Sequence, residues 1–314
     1  MSFSSDVKKE LCKIDYQKDC CAHAELYGLL LFSKSFSAGA MSLCTENRFV
    51  AEKYMDLVSQ NLQAIAQRST RYSHKKEESD GYLLSLPSTS DRERALRRFH
   101  HFVGEEPLFI QRKNLKKSCC IHAFLRGAFL ACGTVTDPSK EYHLEFSVLQ
   151  NGLAGDLCAF LREQRELSIK PKAVERKGAY VVYIKGSEHI ADLLTYLGAK
   201  SAAMELMQVK MVKEVRNYVN RTTNFETANL TKTASAAAAQ LEAIELIGRT
   251  KGLESLPDEL YEVALLRLQN PDMSLRELGA HLSEPISRSG VNHRLKKILE
   301  LSRQYAPQER GKLK

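Results

Sequence analysis

The chain has 314 residues, with 46 Lys and Arg against 38 Asp and Glu, a net charge of +8 and a hydrophobic share of 43%. That length holds about two or three domains of roughly 100–150 residues, and the apolar share is that of a soluble globular protein. No apolar run reaches the ~18 residues of a membrane-spanning helix, and the basic excess favours a polyanionic partner, nucleic acid before an acidic membrane surface.

The first ten residues lack a secretory apolar core, so a cytoplasmic protein without a membrane partner is expected. Eight cysteines are too dilute for a disulfide scaffold. Four of them mark a duplication. Cys20-Cys21-Ala22-His23-Ala24-Glu25-Leu26-Tyr27-Gly28 returns 99 residues later as Cys119-Cys120-Ile121-His122-Ala123-Phe124-Leu125-Arg126-Gly127, identical at six of nine positions. Two copies at so long a period indicate a pseudo-two-fold molecule of two related halves, not a solenoid. Adjacent cysteines project in different directions, unlike the Cys-x(2–4)-Cys pair of a zinc site. They are expected to pack at the start of each helix, with no metal and no cofactor.

In chain order, residues 22–33 read as an apolar helix with Gly28 inside it. Residues 40–44 read as a strand and 49–66 as a helix. Residues 70–73 and 81–86 suggest a hairpin around a charged tip at 75–80, and 92–102 form the closing helix. The second half repeats the plan: a helix over 121–132 with Gly127, a turn at the Asp137-Pro138 pair, and a strand at 142–148. A helix over 153–167 follows, then β-rich runs at 172–175 and 179–184, and a helix over 187–197. A glycine in mid-helix costs about 1 kcal/mol against alanine. Its recurrence at matching positions predicts close approach of the two helix backbones.

From residue 202 the pattern is wholly helical. Residues 204–219 form one helix, and a polar stretch at 218–230 is expected to be a linker before the next helical segment. The strongest motif lies beyond it. Ser274-Leu275-Arg276-Glu277 has the form of a capping box and opens a short helix with Leu275, Leu278 and Leu282 on one face. Ser283-Glu284-Pro285 breaks that helix, and Ser287 caps another whose apolar stripe is Val291, Leu295, Ile298 and Leu299. A helix over 259–269 completes the unit.

This is a helix-turn-helix pattern with the last helix as reader. Arg288, Ser289, Asn292, His293 and Lys296 stand near its N-terminus and off its apolar stripe, in types suited to base edges: Arg to guanine, Asn to adenine. Arg276, Lys297 and Arg303 are candidates for flanking phosphates. Residues 270–314 carry nine Lys and Arg against five Asp and Glu, half of the whole chain's excess. Double-stranded DNA is the expected partner, in a cytoplasmic, nucleoid-associated setting.

Phe124-Leu125-Arg126-Gly127-Ala128-Phe129-Leu130-Ala131-Cys132-Gly133 resembles a degenerate LAGLIDADG motif, and residues 26–34 resemble a second. Together with Ser289-Gly290-Val291-Asn292-His293-Arg294-Leu295 and residues 221–232, they make the chain resemble the WhiA family of bacterial transcriptional regulators over nearly its whole length. The resemblance implies an α+β fold, a duplicated αββαββα LAGLIDADG-like saddle followed by an all-α helix-turn-helix domain. The expected boundaries are 1–217 for the saddle (halves about 1–110 and 111–217), 218–230 for the linker and 231–314 for the DNA-binding domain. It also implies a transcriptional role in sporulation, cell division or chromosome segregation, with the transcription machinery as a source of protein partners. The two-fold geometry within one chain suits a monomer.

LAGLIDADG nucleases carry an acidic residue at the end of each dyad helix, where two carboxylates hold catalytic metals. The aligned positions here are Ser33 and Cys132, neither a hard oxygen anion suited to Mg²⁺, and Lys34 replaces the first closing glycine. Loss of nuclease activity is expected, leaving no catalytic residue. The alternatives are an active metal-dependent endonuclease and an adaptor that acts through protein partners. Between Arg68 and Lys117, twelve Lys and Arg against seven Asp and Glu also permit phosphate contact by the saddle.

Overall fold

The computed structural model describes residues 2–16, 18–72 and 79–305. The chain forms two compact units, Met1–Glu214 and Val215–Lys314.

The first unit opens with α1 (Phe3–Cys12), a helix that the motif reading did not single out. Ser2 caps it, its side chain accepting from the Ser5 amide at 3.3 Å, and Phe3, Val7 and Leu11 bury one stripe at helical spacing. The expected duplication then follows element by element. The first copy is α2 (Asp19–Leu31), β1 (Ser35–Phe36), β2 (Met41–Thr45), α3 (Arg48–Leu62), β3 (Gln67–Tyr72), β4 (Ser79–Ser85) and α4 (Thr89–Arg98). The second is α5 (Ser118–Cys132), β5 (Gly133–Val135), β6 (His143–Val148), α6 (Asn151–Glu163), β7 (Lys172–Arg176), β8 (Ala179–Lys185) and α7 (Ser187–Leu197). The sheets share one antiparallel order, β1-β2-β4-β3 and β5-β6-β8-β7.

Several expected bounds move for local reasons. The helix expected to reach residue 66 stops at Leu62, because Gln63 turns left-handed at φ 48°. The helix expected over 92–102 starts earlier, at the Ser88 cap, and ends at Arg98. The short strands β1 and β5 are additions, β5 beginning at Gly133, directly after α5 and ahead of the Asp137-Pro138 turn. The β7–β8 turn places Lys177 and Gly178 at φ 52° and 77°, the two consecutive positive angles of a tight primed hairpin turn. Of the hairpin tip expected at 75–80, residues 75–78 lie outside the described residues.

Helices α2 and α5 pack backbone to backbone. A Cβ at Gly28 would overlap the Phe124 carbonyl and stand 2.8 Å from the Ala128 nitrogen; one at Gly127 would overlap the Glu25 carbonyl and stand 3.0 Å from the Leu29 nitrogen. The contact is reciprocal, so only glycine fits in either copy, as the repeat predicted. A single apolar core surrounds this pair and takes side chains from both halves.

The segment expected as a linker at 218–230 is helical. It lies inside α8 (Lys200–Thr250), 51 residues long. Glu10 caps the start of α8, accepting from the Ser201 and Ala202 amides at 2.7 and 3.0 Å. Ala202, Ala203 and Leu206 bury the first turns, and Ala243, Ile244 and Ile247 bury the last. Every residue from 214 to 236 is exposed. Threonine and asparagine favour helix only weakly, yet no glycine or proline interrupts the chain between Gly198 and Gly248. Extending a helix from a turn already packed costs far less than nucleating one, and α8 is packed at both ends.

Candidate nucleic-acid interface

The second unit ends in three helices, α9 (Asp258–Gln269), α10 (Leu275–Ala280) and α11 (Arg288–Arg303). They share a small core of Leu260, Val263, Ala264, Leu278, Val291, Leu295 and Ile298 with the end of α8. The capping box forms as expected: the Ser274 side chain accepts from the Glu277 amide at 3.3 Å, and the Glu277 carboxylate accepts from the Ser274 amide at 2.9 Å. Those bonds hold the Glu277 carboxyl below its ordinary range. Ser287 caps α11, accepting from the Gly290 amide at 3.3 Å.

Two braces fix the turns between these helices. Buried Arg267 donates from Nη1 to the carbonyls of Pro271 and Met273, at 3.1 and 2.7 Å, tying the end of α9 to the start of α10. Glu262 accepts from the Ser283 hydroxyl at 3.0 Å and from its amide, holding the break between α10 and α11. Gly279 lets α11 come close, since a Cβ there would overlap the Ile286 carbonyl and stand 3.1 Å from Val291 Cγ2.

With Val291, Leu295, Ile298 and Ser302 buried, the 3.6-residue period turns Ser289, Asn292, His293 and Lys296 outward. Ser289, His293 and Lys296 are exposed and Asn292 is half-buried. Arg288 is exposed at the first position of the helix, at the margin of this face. Lys297 is exposed further round and lines, with His293, a cleft beside the start of α9. Arg276 is exposed on the first turn of α10, and Arg303 at the end of α11. The eight candidate residues therefore fall into a group near the N-terminus of α11 and a set of outlying cations. The remaining basic side chain of the motif, Arg294, is drawn back to Glu259 at 3.4 Å and is largely covered.

A second basic surface escaped the sequence reading. Cross-strand register places Lys172 opposite Tyr183, Tyr183 opposite Glu145, and Lys185 opposite His143 on the face of the second sheet turned away from buried Leu144 and Phe146. Arg176 lies on β7 in the same alternation, and Lys172, Arg176 and Lys185 are exposed. The tight hairpin turn was the available signal, because it fixes this register.

The two positions that correspond to nuclease carboxylates do not fit a hard divalent ion. The Ser33 hydroxyl donates to the Leu30 carbonyl at 2.6 Å and lies 3.0 Å from that of Ser35, turned into the backbone. Cys132 ends α5; burial pushes its thiol up to about 12, and the Lys8 ammonium lies close enough to oppose that shift. A thiol beside an ammonium has neither the charge nor the donor atom that Mg²⁺ needs.

A duplicated αββαββα unit carrying a glycine-paired helix dyad, with a helix-turn-helix unit after it, defines the class: a LAGLIDADG-like scaffold joined to a helix-turn-helix module. The model of the WhiA LAGLIDADG-like domain matches residues 121–216, and that of the WhiA C-terminal HTH domain matches residues 219–302. The probable cell division protein WhiA of Caldicellulosiruptor saccharolyticus is 38% identical over 307 residues, covering 95% of this chain and 94% of that protein. Its namesake in Thermoanaerobacter sp. is 40% identical over 313 residues, covering 96% and 98%. The crystal structure of full-length DUF199/WhiA from Thermatoga maritima superposes with a TM-score of 0.57 at 26% identity, covering 98% of this chain and 99% of that one. The chain belongs to the WhiA family.

Proposed function

We propose that this protein is a sequence-specific DNA-binding transcriptional regulator acting in cell division, the role its curated relatives' names carry. In this reading α11 enters the major groove. Arg288 and Asn292 read base edges, Ser289, His293 and Lys296 contact bases or backbone, and Lys297 and Arg276 hold phosphates. The observation that carries the reading is the outward N-terminal face of α11, where these groups have no protein partner among the described side-chain hydrogen bonds and ion pairs, while the motif's other cation is engaged by Glu259. The basic face of the second sheet is a further phosphate contact in the same reading.

We also infer that the LAGLIDADG-like unit no longer cuts DNA. Ser33 engaged by backbone carbonyls and Cys132 beside Lys8 support this, since neither position offers a carboxylate. Incubation of genomic fragments with the protein and Mg²⁺ or Mn²⁺ is expected to leave them intact. Specific cleavage that chelation abolishes would overturn this inference.

Selection of bound fragments from genomic DNA, followed by titration of the enriched site, tests the regulator. Arg288→Ala and Asn292→Ala are each expected to cost about 1–3 kcal/mol at that site and to relax its sequence preference. Lys297→Ala is expected to weaken all sequences alike and to lower the salt slope by about one. Unchanged affinity and preference in both reader variants would sink the assignment of α11.

A further inference from the structure

The expectation that adjacent cysteines project in different directions fails at Cys20 and Cys21, whose sulfurs lie within 4.8 Å of each other. The fold also brings a cysteine of the second repeat to them. The thiol sulfurs of Cys20, Cys21 and Cys119 lie within 4.8 Å of one another, at the N-termini of α2 and α5, and all three residues are half-buried. This cluster stands at the opposite helix ends from Ser33 and Cys132, so it is not the relic of the nuclease centre. It also stands apart from the DNA-binding reading.

We propose that Cys20, Cys21 and Cys119 form a thiolate site for a soft d¹⁰ cation such as Zn²⁺, clamping the two repeats at the mouth of the helix dyad. Zinc–sulfur bonds of about 2.3 Å place neighbouring sulfurs roughly 3.8 Å apart in a tetrahedron. A separation limit of 4.8 Å is thus closed by small rotamer movements. Soft sulfur donors select zinc or cuprous ion over Mg²⁺ or Ca²⁺.

The surroundings suit a thiolate group with excess negative charge. Lys116, Lys117, Lys113 and Arg98 line the cleft that also holds Cys20 and Cys120. Positive helix ends favour thiolates as well. Each thiol that binds releases its proton to solvent, so affinity rises with pH.

The test uses the full chain, reduced and stripped with chelator, then titrated with Co²⁺ and afterwards Zn²⁺. Uptake of about one Co²⁺ with sulfur-to-cobalt charge-transfer absorption, displaced by Zn²⁺, is expected. Cys20→Ser, Cys21→Ser and Cys119→Ser should each weaken binding more than about 10-fold, with Cys44→Ser and Cys158→Ser unchanged. Circular dichroism of the metal-free variants should match the metal-free parent. A readout on the unaltered chain is alkylation mapped by mass spectrometry, where Zn²⁺ should protect Cys20, Cys21 and Cys119 but not Cys44. Cobalt binding without the thiolate band, Zn²⁺ that leaves alkylation of all three unchanged, or a disulfide among them in freshly reduced protein would each overturn the site.

Discussion

In α2 every residue from Ala24 to Leu31 is buried, and in α5 every residue from Ala123 to Leu130, whereas in α8 every residue from 214 to 236 is exposed. The dyad helices are held by what surrounds them, through backbone contact at Gly28 and Gly127 and a shared core. The middle of α8 is held by its own hydrogen bonds and by its two anchored ends. Substitutions should therefore act through packing in the first region and through helix propensity in the second.

The sharpest way to break the comparison is the buried ion pair of the dyad. Arg126 Nε meets Glu25 at 2.5 Å, and its Nη1 donates to the Leu197 carbonyl at 3.1 Å, with Glu25 fully buried. Arg126→Ala leaves a buried carboxyl without its cation and should cost about 3–5 kcal/mol in urea unfolding of the N-terminal unit. Next comes Gly127→Ala, which sets a methyl against a carbonyl that cannot move aside. A loss near 3 kcal/mol by the same measurement is expected; a loss below about 1 kcal/mol would mean the helices can part.

A smaller effect concerns pH. Burial, the largest cause in each case, lowers the pKa of His23, His101 and His122 below the ordinary histidine value. Their folded forms favour neutrality, so stability is full above the unfolded value of about 6.5 and declines as pH falls through it. The urea midpoint of the N-terminal unit should drop between about pH 7.5 and 5.5. His101→Gln should flatten that slope, because His101 is fully enclosed between the Tyr27 hydroxyl at 3.0 Å and Glu105 at 2.9 Å. The smallest effect belongs to α8. Thr222→Ala and Thr223→Ala should each add about 0.3–0.6 kcal/mol of helix stability, seen as slower amide exchange across 214–236, with the unfolding midpoint of the N-terminal unit unchanged.

The parts that were legible in the sequence are those whose signals are local. The Ser274–Glu277 box, the Ser287 cap and the Val291–Ile298 stripe each lie within one or two helical turns. The repeated glycines were legible because duplication displays a spatial contact twice in the chain. Strands of two or three residues, such as β1 and β5, carry too few positions for alternation to show, and their pairing is decided elsewhere in the sheet. The polar stretch at 218–230 read as a linker because intrinsic propensity there is weak, and propensity says nothing of anchors some twenty residues away. The ion pair across the dyad was invisible for the same reason: the repeat aligns Glu25 with Phe124 and Arg126 with Tyr27, so nothing in it pairs Glu25 with Arg126.

The Glu25–Arg126 pair carries a consequence for assembly. In the repeat, Glu25 occupies the position of Phe124, and Arg126 that of Tyr27. Two copies of the first half mated about the same axis would set each Glu25 against a Tyr27; two copies of the second would set each Arg126 against a Phe124. Either homodimer would bury a charge with no counter-charge, a cost of several kcal/mol per ion. Only unlike halves satisfy the pair, and this makes the halves mutually exclusive partners. The unlike residues at these two positions make the interface one that accepts only the other half.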